Sequence, residues 1–328
     1  MPGILKVFKY RFGTNQGLLP VNALLSLLLL GMGIVGCSKS SGQHEDEATP
    51  PIVAMDSVTI FAVGDDKIFE YRYSAQAGRP RTVWEWQVAQ TTGMPTSYHT
   101  QFQSVDDCKA SATGEQLLIT SSSLGAVLLL EKSTKKALFY AKAPNAHSAE
   151  FLPGGYLAVA TSTATGGNSL TVYHPDQPDK VFVKESLYSG HGVVWLPERK
   201  RLYALGYNDL REYSLKDWES TEPKLQLEHT WTLPNDDGHE LSGVSNDKLL
   251  LTTAANVWEF AIASGTFKTF EPLKNMAKVK SVNYNETTGQ LVYTKGETEW
   301  WTNNVYCIKP NKTINIPNVK IYKARFSK

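Results

Sequence analysis

The chain of 328 residues has almost no net charge: 33 Lys and Arg stand against 32 Asp and Glu. The basic surplus that binders of nucleic acid or anionic surfaces carry is missing, so no nucleic-acid partner is expected. Cysteine is scarce too. Of three, Cys37 closes an N-terminal apolar run, and Cys108 and Cys307 fall in different repeats, so two buried thiols are expected rather than a disulfide. No segment beyond a couple of turns carries the apolar stripe of an amphipathic helix, which excludes helical and mixed classes. The pairs Gly154-Gly155 and Gly166-Gly167 introduce no helix, as a phosphate-binding loop must, and read as turns.

At the start, Lys6, Lys9 and Arg11 lead an apolar run over 21–35, broken by Asn22 and Ser26 and closing on Ile34-Val35-Gly36-Cys37. The run is shorter than the ~20 apolar residues that span a bilayer. Its end resembles the lipobox of bacterial lipoproteins, in which a small residue precedes the lipidated cysteine; Val35 is bulkier than that pattern prefers. The resemblance implies a signal peptide over 1–37, lipidation at Cys37 and a mature chain anchored in the cell envelope. That chain would lie in the periplasm or on the outer surface of the outer membrane. Residues 38–55, rich in Ser, Glu and Pro, cannot build a core and read as a tether.

From residue 56 onward, short runs rich in Tyr, Val, Leu and Trp alternate with Gly, Asn, Asp, Ser and Lys turns, the pattern of an all-β protein. Paired strands align at 59–71, 117–130, 157–173, 202–213, 249–260 and 291–307, each followed by an outer-strand candidate. One further strand precedes each pair. Its head residues are Asp107, His147, His191, His239 and Lys280, separated by 40, 44, 48 and 41 residues. Such spacing matches four-stranded propeller blades, which bury their faces only against neighbours. The first unit lacks a leading strand, and Lys320-Ile321-Tyr322-Lys323-Ala324-Arg325-Phe326 resembles one. The sequence therefore predicts a single domain over 56–328, a six-bladed β-propeller closed by its C-terminal strand and acting as a monomer. A seven-bladed ring is the alternative, and it would need strands hidden in 90–106.

Equivalent heads from six blades form a ring of Tyr322, Asp107, His147, His191, His239 and Lys280 around the channel. Asp107, His147, His191 and His239 have the donor types for one divalent ion, Zn or Mn, although no short spacing supports the set. The same ring suits acid/base chemistry. His191 or His239 would abstract a proton, Tyr188 or Tyr322 would protonate a leaving oxygen, and Lys280 or Arg325 would neutralise a substrate carboxylate. Tyr98 and His99, on the longest connection, are further expected ligand contacts. Trp84 and Trp86 read as packing between blades; one of Trp300 and Trp301 can serve as a carbohydrate platform.

The lipobox, the repeating His-headed strands and the terminal Tyr-Lys-Ala-Arg resemble uncharacterised secreted bacterial β-propeller lipoproteins over nearly the whole mature region. A more distant likeness, in architecture and histidine-lined funnel only, is to propeller polysaccharide lyases. The first resemblance implies location and fold. Two functions then stand: a tethered propeller that binds a glycan or protein at the central funnel, or a metal-assisted polysaccharide lyase or hydrolase.

Overall fold

The computed structural model describes residues 57–178 and 180–327; the expected signal peptide, Cys37 and the expected tether lie outside them. Six four-stranded antiparallel sheets follow one another as blades. Their innermost strands are Ile321–Phe326 in blade 1, Val105–Ala110 in blade 2, Ala146–Phe151 in blade 3, Gly192–Leu196 in blade 4, Glu240–Ser245 in blade 5 and Val279–Asn285 in blade 6. Each innermost strand packs against the next, and the last against the first, so the six encircle one axis. Blade 1 is composite: Ile321–Phe326 pairs with Ser57–Gly64, which pairs outward with Lys67–Ser74 and then Arg81–Gln87. Among the described residues no helix is long and apolar enough to cross a membrane.

Burial explains which strands sit where. Middle strands are covered on both faces by neighbouring blades and read as continuous apolar runs, as in Ala126–Glu131 (AVLLLE), buried at all but its last residue. Outer strands face solvent on one side and alternate, as in Lys136–Lys142 (KALFYAK). Trp86, on the outer strand of blade 1, is 1% exposed in the cluster between blades 1 and 2, and its Nε1 donates to Thr91 Oγ1 at 3.0 Å. Trp84 packs on the same cluster, with Nε1 donating to the Lys132 carbonyl. Cys108 and Cys307 are buried free thiols in blades 2 and 6.

Residues 90–106 hide no extra blade. They form a short 3-10 segment, Thr96–Phe102, that seats Met94 and Phe102 in the core between blades 1 and 2. A long connection here is an apolar wedge.

Closure of blade 1 depends on a tight approach at Gly64. A Cβ there would lie 2.0 Å from the Lys320 carbonyl oxygen. Because backbone on the opposite strand cannot swing aside like a flexible side chain, Gly64→Ala should destabilise the ring by roughly 1–3 kcal/mol. Chemical denaturation measures this; an unchanged midpoint would contradict the closure geometry.

Candidate functional site

A repeated backbone device builds the mouth of the channel. In blade 2 Val105 pairs with Ser121 and Asp107 with Thr120, which leaves Asp106 as an extra residue. The same one-residue bulge isolates His147 in blade 3, Lys280 in blade 6 and Tyr322 in blade 1. His191 and His239 stand immediately before the innermost strands of blades 4 and 5. Two residues upstream of four of these heads, Asn145, Ser189, Asp237 and Lys278 adopt left-handed φ of 53°, 50°, 69° and 62°. Each connecting loop thus turns sharply before it delivers a side chain to the mouth of the channel, and the bulge breaks alternation so that two successive residues can face the axis.

Two tiers result. The lower tier is a buried ionic deck. Arg325 grips Asp107 through Nε–Oδ1 at 2.6 Å and Nη2–Oδ2 at 2.8 Å, and its Nη2 also lies 2.7 Å from Glu240 Oε1. Lys323 Nζ lies 2.9 Å from Glu240 Oε2 and donates toward the His147 carbonyl at 3.3 Å. Ser148 Oγ donates to Asp107 Oδ2 at 2.9 Å. Two cations thus meet two carboxylates. Burial alone would raise the Asp107 carboxyl, but Arg325 and Lys323 hold it well below the usual range.

The upper tier is the funnel, a cavity of about 510 Å³. The His147 and His191 rings stack with centroids 4.2 Å apart, and His239 meets His191 edge-on at 5.1 Å. His191 Nδ1 donates to the Ser189 carbonyl at 2.9 Å, so its Nε2 is the free acceptor. Burial pushes His191 down to about 3 and His147 well below its ordinary value. Burial also lowers His239, against the opposing pull of Asp237. All three imidazoles are uncharged at neutral pH. Asp106 is pushed by burial up to about 8, despite the Ser122 N–H and Oγ that bond its oxygens, and it carries a proton there. Tyr188 and Tyr207 meet edge-on at 5.6 Å, Trp300 and Trp301 line the same cavity, and Tyr322 sits 6.0 Å from His147.

Several sequence expectations change. Asp107 belongs to the ionic deck, and the bulge puts Asp106 beside His147 instead, with Oδ1 3.7 Å from Nδ1. Among the described residues no three His, Cys, Asp or Glu side chains converge as a metal-ligand group. Stacked rings turn their faces to each other, not their lone pairs, so the set Asp107, His147, His191 and His239 does not fit a Zn or Mn centre. Arg325 is committed to Asp107 and Glu240 and is not free for a substrate carboxylate. Tyr98 packs at the periphery, 4.8 Å from Tyr140 on the outer strand of blade 2, and neither it nor His99 lines the funnel. His147, His191, His239, Tyr188 and Tyr322 do share the funnel, and Lys280 lies at its side. Sequence reasoning missed Asp106, Asp237 and Tyr207, and placed the two tryptophans on a strand; they stand in the loop between Gln290–Lys295 and Asn304–Ile308.

These shifts set opposite pH slopes. Asp106 holds its proton when folded and loses it on unfolding, where its carboxyl titrates near 3.8. Its contribution is therefore full below that value and lost as pH rises toward about 8. The imidazoles stay uncharged when folded and take up protons on unfolding below 6.5, so their contribution is lost as pH falls, that of His191 toward about 3. Stability should peak near neutrality. In Asp106→Asn the loss between about pH 6 and pH 8 should shrink while the acid-side loss persists; melting temperatures across that range check it, and an unaltered alkaline slope would refute the assignment.

No curated protein sequence matches the chain. Among solved structures it is similar to a chain of the nidogen/laminin complex, at 14% identity and a TM-score of 0.56, covering 83% of this chain and 98% of that one. It is also similar to a Bacteroides fragilis protein provisionally described as a 6-phosphogluconolactonase, at 10% identity and a TM-score of 0.52, covering 84% and 99%. At such identities the likeness is one of propeller fold alone. Over residues 22–327 the chain matches the family of unknown function DUF6528, and it belongs to that family.

Proposed function

We propose that the protein is an extracytoplasmic lipoprotein, tethered through Cys37, whose funnel binds an uncharged saccharide. The lining of the funnel carries this reading. Tyr188, Tyr207, Trp300 and Trp301 offer ring faces and edges for the C–H faces of a pyranose, and none of the residues lining the cavity is Lys or Arg. Between the rings stand neutral hydrogen-bonding groups: Asn145, Ser162, Ser189, and imidazoles that burial keeps uncharged. His191 Nε2 accepts from a sugar hydroxyl while the serines donate or accept as needed.

The same lining argues against an acidic polysaccharide. A uronate would meet the Asp237 carboxylate with no cation opposite it, because Arg325 is spent in the deck and Lys280 lies under Trp300, with Nζ 4.6 Å from the ring centroid. β-Elimination of such chains has neither the ligand set for a metal nor a free guanidinium here.

Isothermal calorimetry with neutral and uronate oligosaccharides tests the reading. Neutral chains should bind and uronates should not. Trp300→Ala and His191→Ala should each weaken binding by about tenfold, ~1.4 kcal/mol. Preference for uronates, or affinity untouched by both substitutions, would overturn it. Cys37→Ala should release the protein from the membrane fraction into the soluble fraction.

A further inference from the structure

Beside the funnel and sharing Asp237, His239 and Trp300 with it lies a second chamber of about 540 Å³, walled in part by Ala254 and Ala277. Lys280 reaches it from the bulge of blade 6. The residue is 2% exposed, Trp300 covers its amine, and no carboxylate lies within ion-pair distance of Nζ among the contacts described. Its hydrogen-bond partner is His239 Nε2, at 2.7 Å. That same nitrogen lies 3.1 Å from Asp237 Oδ2.

One ring nitrogen cannot serve an ammonium and a carboxylate together. If Lys280 is an ammonium, Nε2 must be a bare acceptor and Asp237 faces a lone pair. If Lys280 is a free amine, a single Nε2–H points at both the carboxylate and the amine lone pair, and both contacts are met. The geometry therefore favours the free amine, and burial lowers Lys280 to about 8, so a share of it is un-ionised at neutral pH. An un-ionised amine held against an imidazole N–H, with a carboxylate on the same nitrogen, places a nucleophile beside its proton carrier.

We propose that Lys280 is a nucleophilic amine that forms an imine with the carbonyl of a small hydroxyaldehyde or hydroxyketone, His239 being its proton carrier. The Nζ lone pair attacks the carbonyl carbon as His239 Nε2–H gives its proton to the carbonyl oxygen, and the Nε2 so vacated takes one proton from the new C–N nitrogen, leaving a neutral carbinolamine. The same two transfers repeat: Nε2–H protonates the hydroxyl, which leaves as water, and the nitrogen's second proton returns to Nε2 as the C=N bond forms. No electrons are gained or lost, and Asp237 acts through His239 as a positioning residue. The proposal rests on the saccharide reading only for its choice of carbonyl compound, since an open-chain sugar carries that group.

The test is reductive trapping: the protein is incubated with dihydroxyacetone and borohydride, and adducts are mapped by peptide mass spectrometry. Lys280 should be labelled at least about tenfold more than the mean of the other lysines. His239→Asn should slow its labelling by about tenfold, and Lys280→Arg should abolish the dominant adduct. Labelling spread evenly over surface lysines, or Lys280 unmodified in wild-type protein, would overturn the proposal, and neither result depends on a variant folding. Calorimetry with a borohydride-reduced oligosaccharide, which has no carbonyl, separates the two readings: binding without labelling sinks the imine alone, and labelling without binding sinks the saccharide reading alone.

Discussion

Four charges at the axis hold the ring together: Asp107 and Glu240 against Lys323 and Arg325. They come from blades 2 and 5 on one side of the account and from the composite blade 1 on the other. Leaving either carboxylate buried without its cation costs roughly 3–5 kcal/mol, so the arrangement tolerates no partial assembly. It also floors the funnel. With Lys323 and Arg325 held in the deck, the cavity above is lined by imidazoles, hydroxyls, aromatic rings and carboxyl groups. The selectivity proposed for the funnel is thus a by-product of how the propeller is closed.

The bulges have a comparable double effect. A regular strand would send alternate residues toward the axis and lose the next to the blade. With an extra residue at Asp106, His147 and Tyr322, that residue lines the funnel while its successor, Asp107, Ser148 or Lys323, joins the deck; in blade 6 the extra residue Lys280 lies in the chamber beside the funnel. Strong burial of the upper row follows, and with it the loss of charge from the histidines.

Six blades and closure by the C-terminal strand were legible in the sequence because head-to-head spacing reports blade length directly. The bulge was not. Asp106 and Asp107 are adjacent carboxylates, and counting back from an aligned leucine cannot tell which of two identical residues faces the funnel when the strand gains one residue. Trp300 and Trp301 were misplaced because alternation was applied to a loop. Residues 90–106 looked like a ligand loop by length, while Val88, Met94 and Phe102 already marked it as core. Histidine count suggested a metal, and the stacking of His147 on His191 is a relation that no spacing encodes.

Lys323 and Arg325 lie on a strand that follows every other blade in the chain. During synthesis Asp107 and Glu240 are made long before the two cations that neutralise them, and the first 320 residues have no way to complete the core. A nascent chain of this kind stays open until its final strand emerges. Assembly of the deck is in this sense a clock set by chain order, with closure of the ring as its last tick.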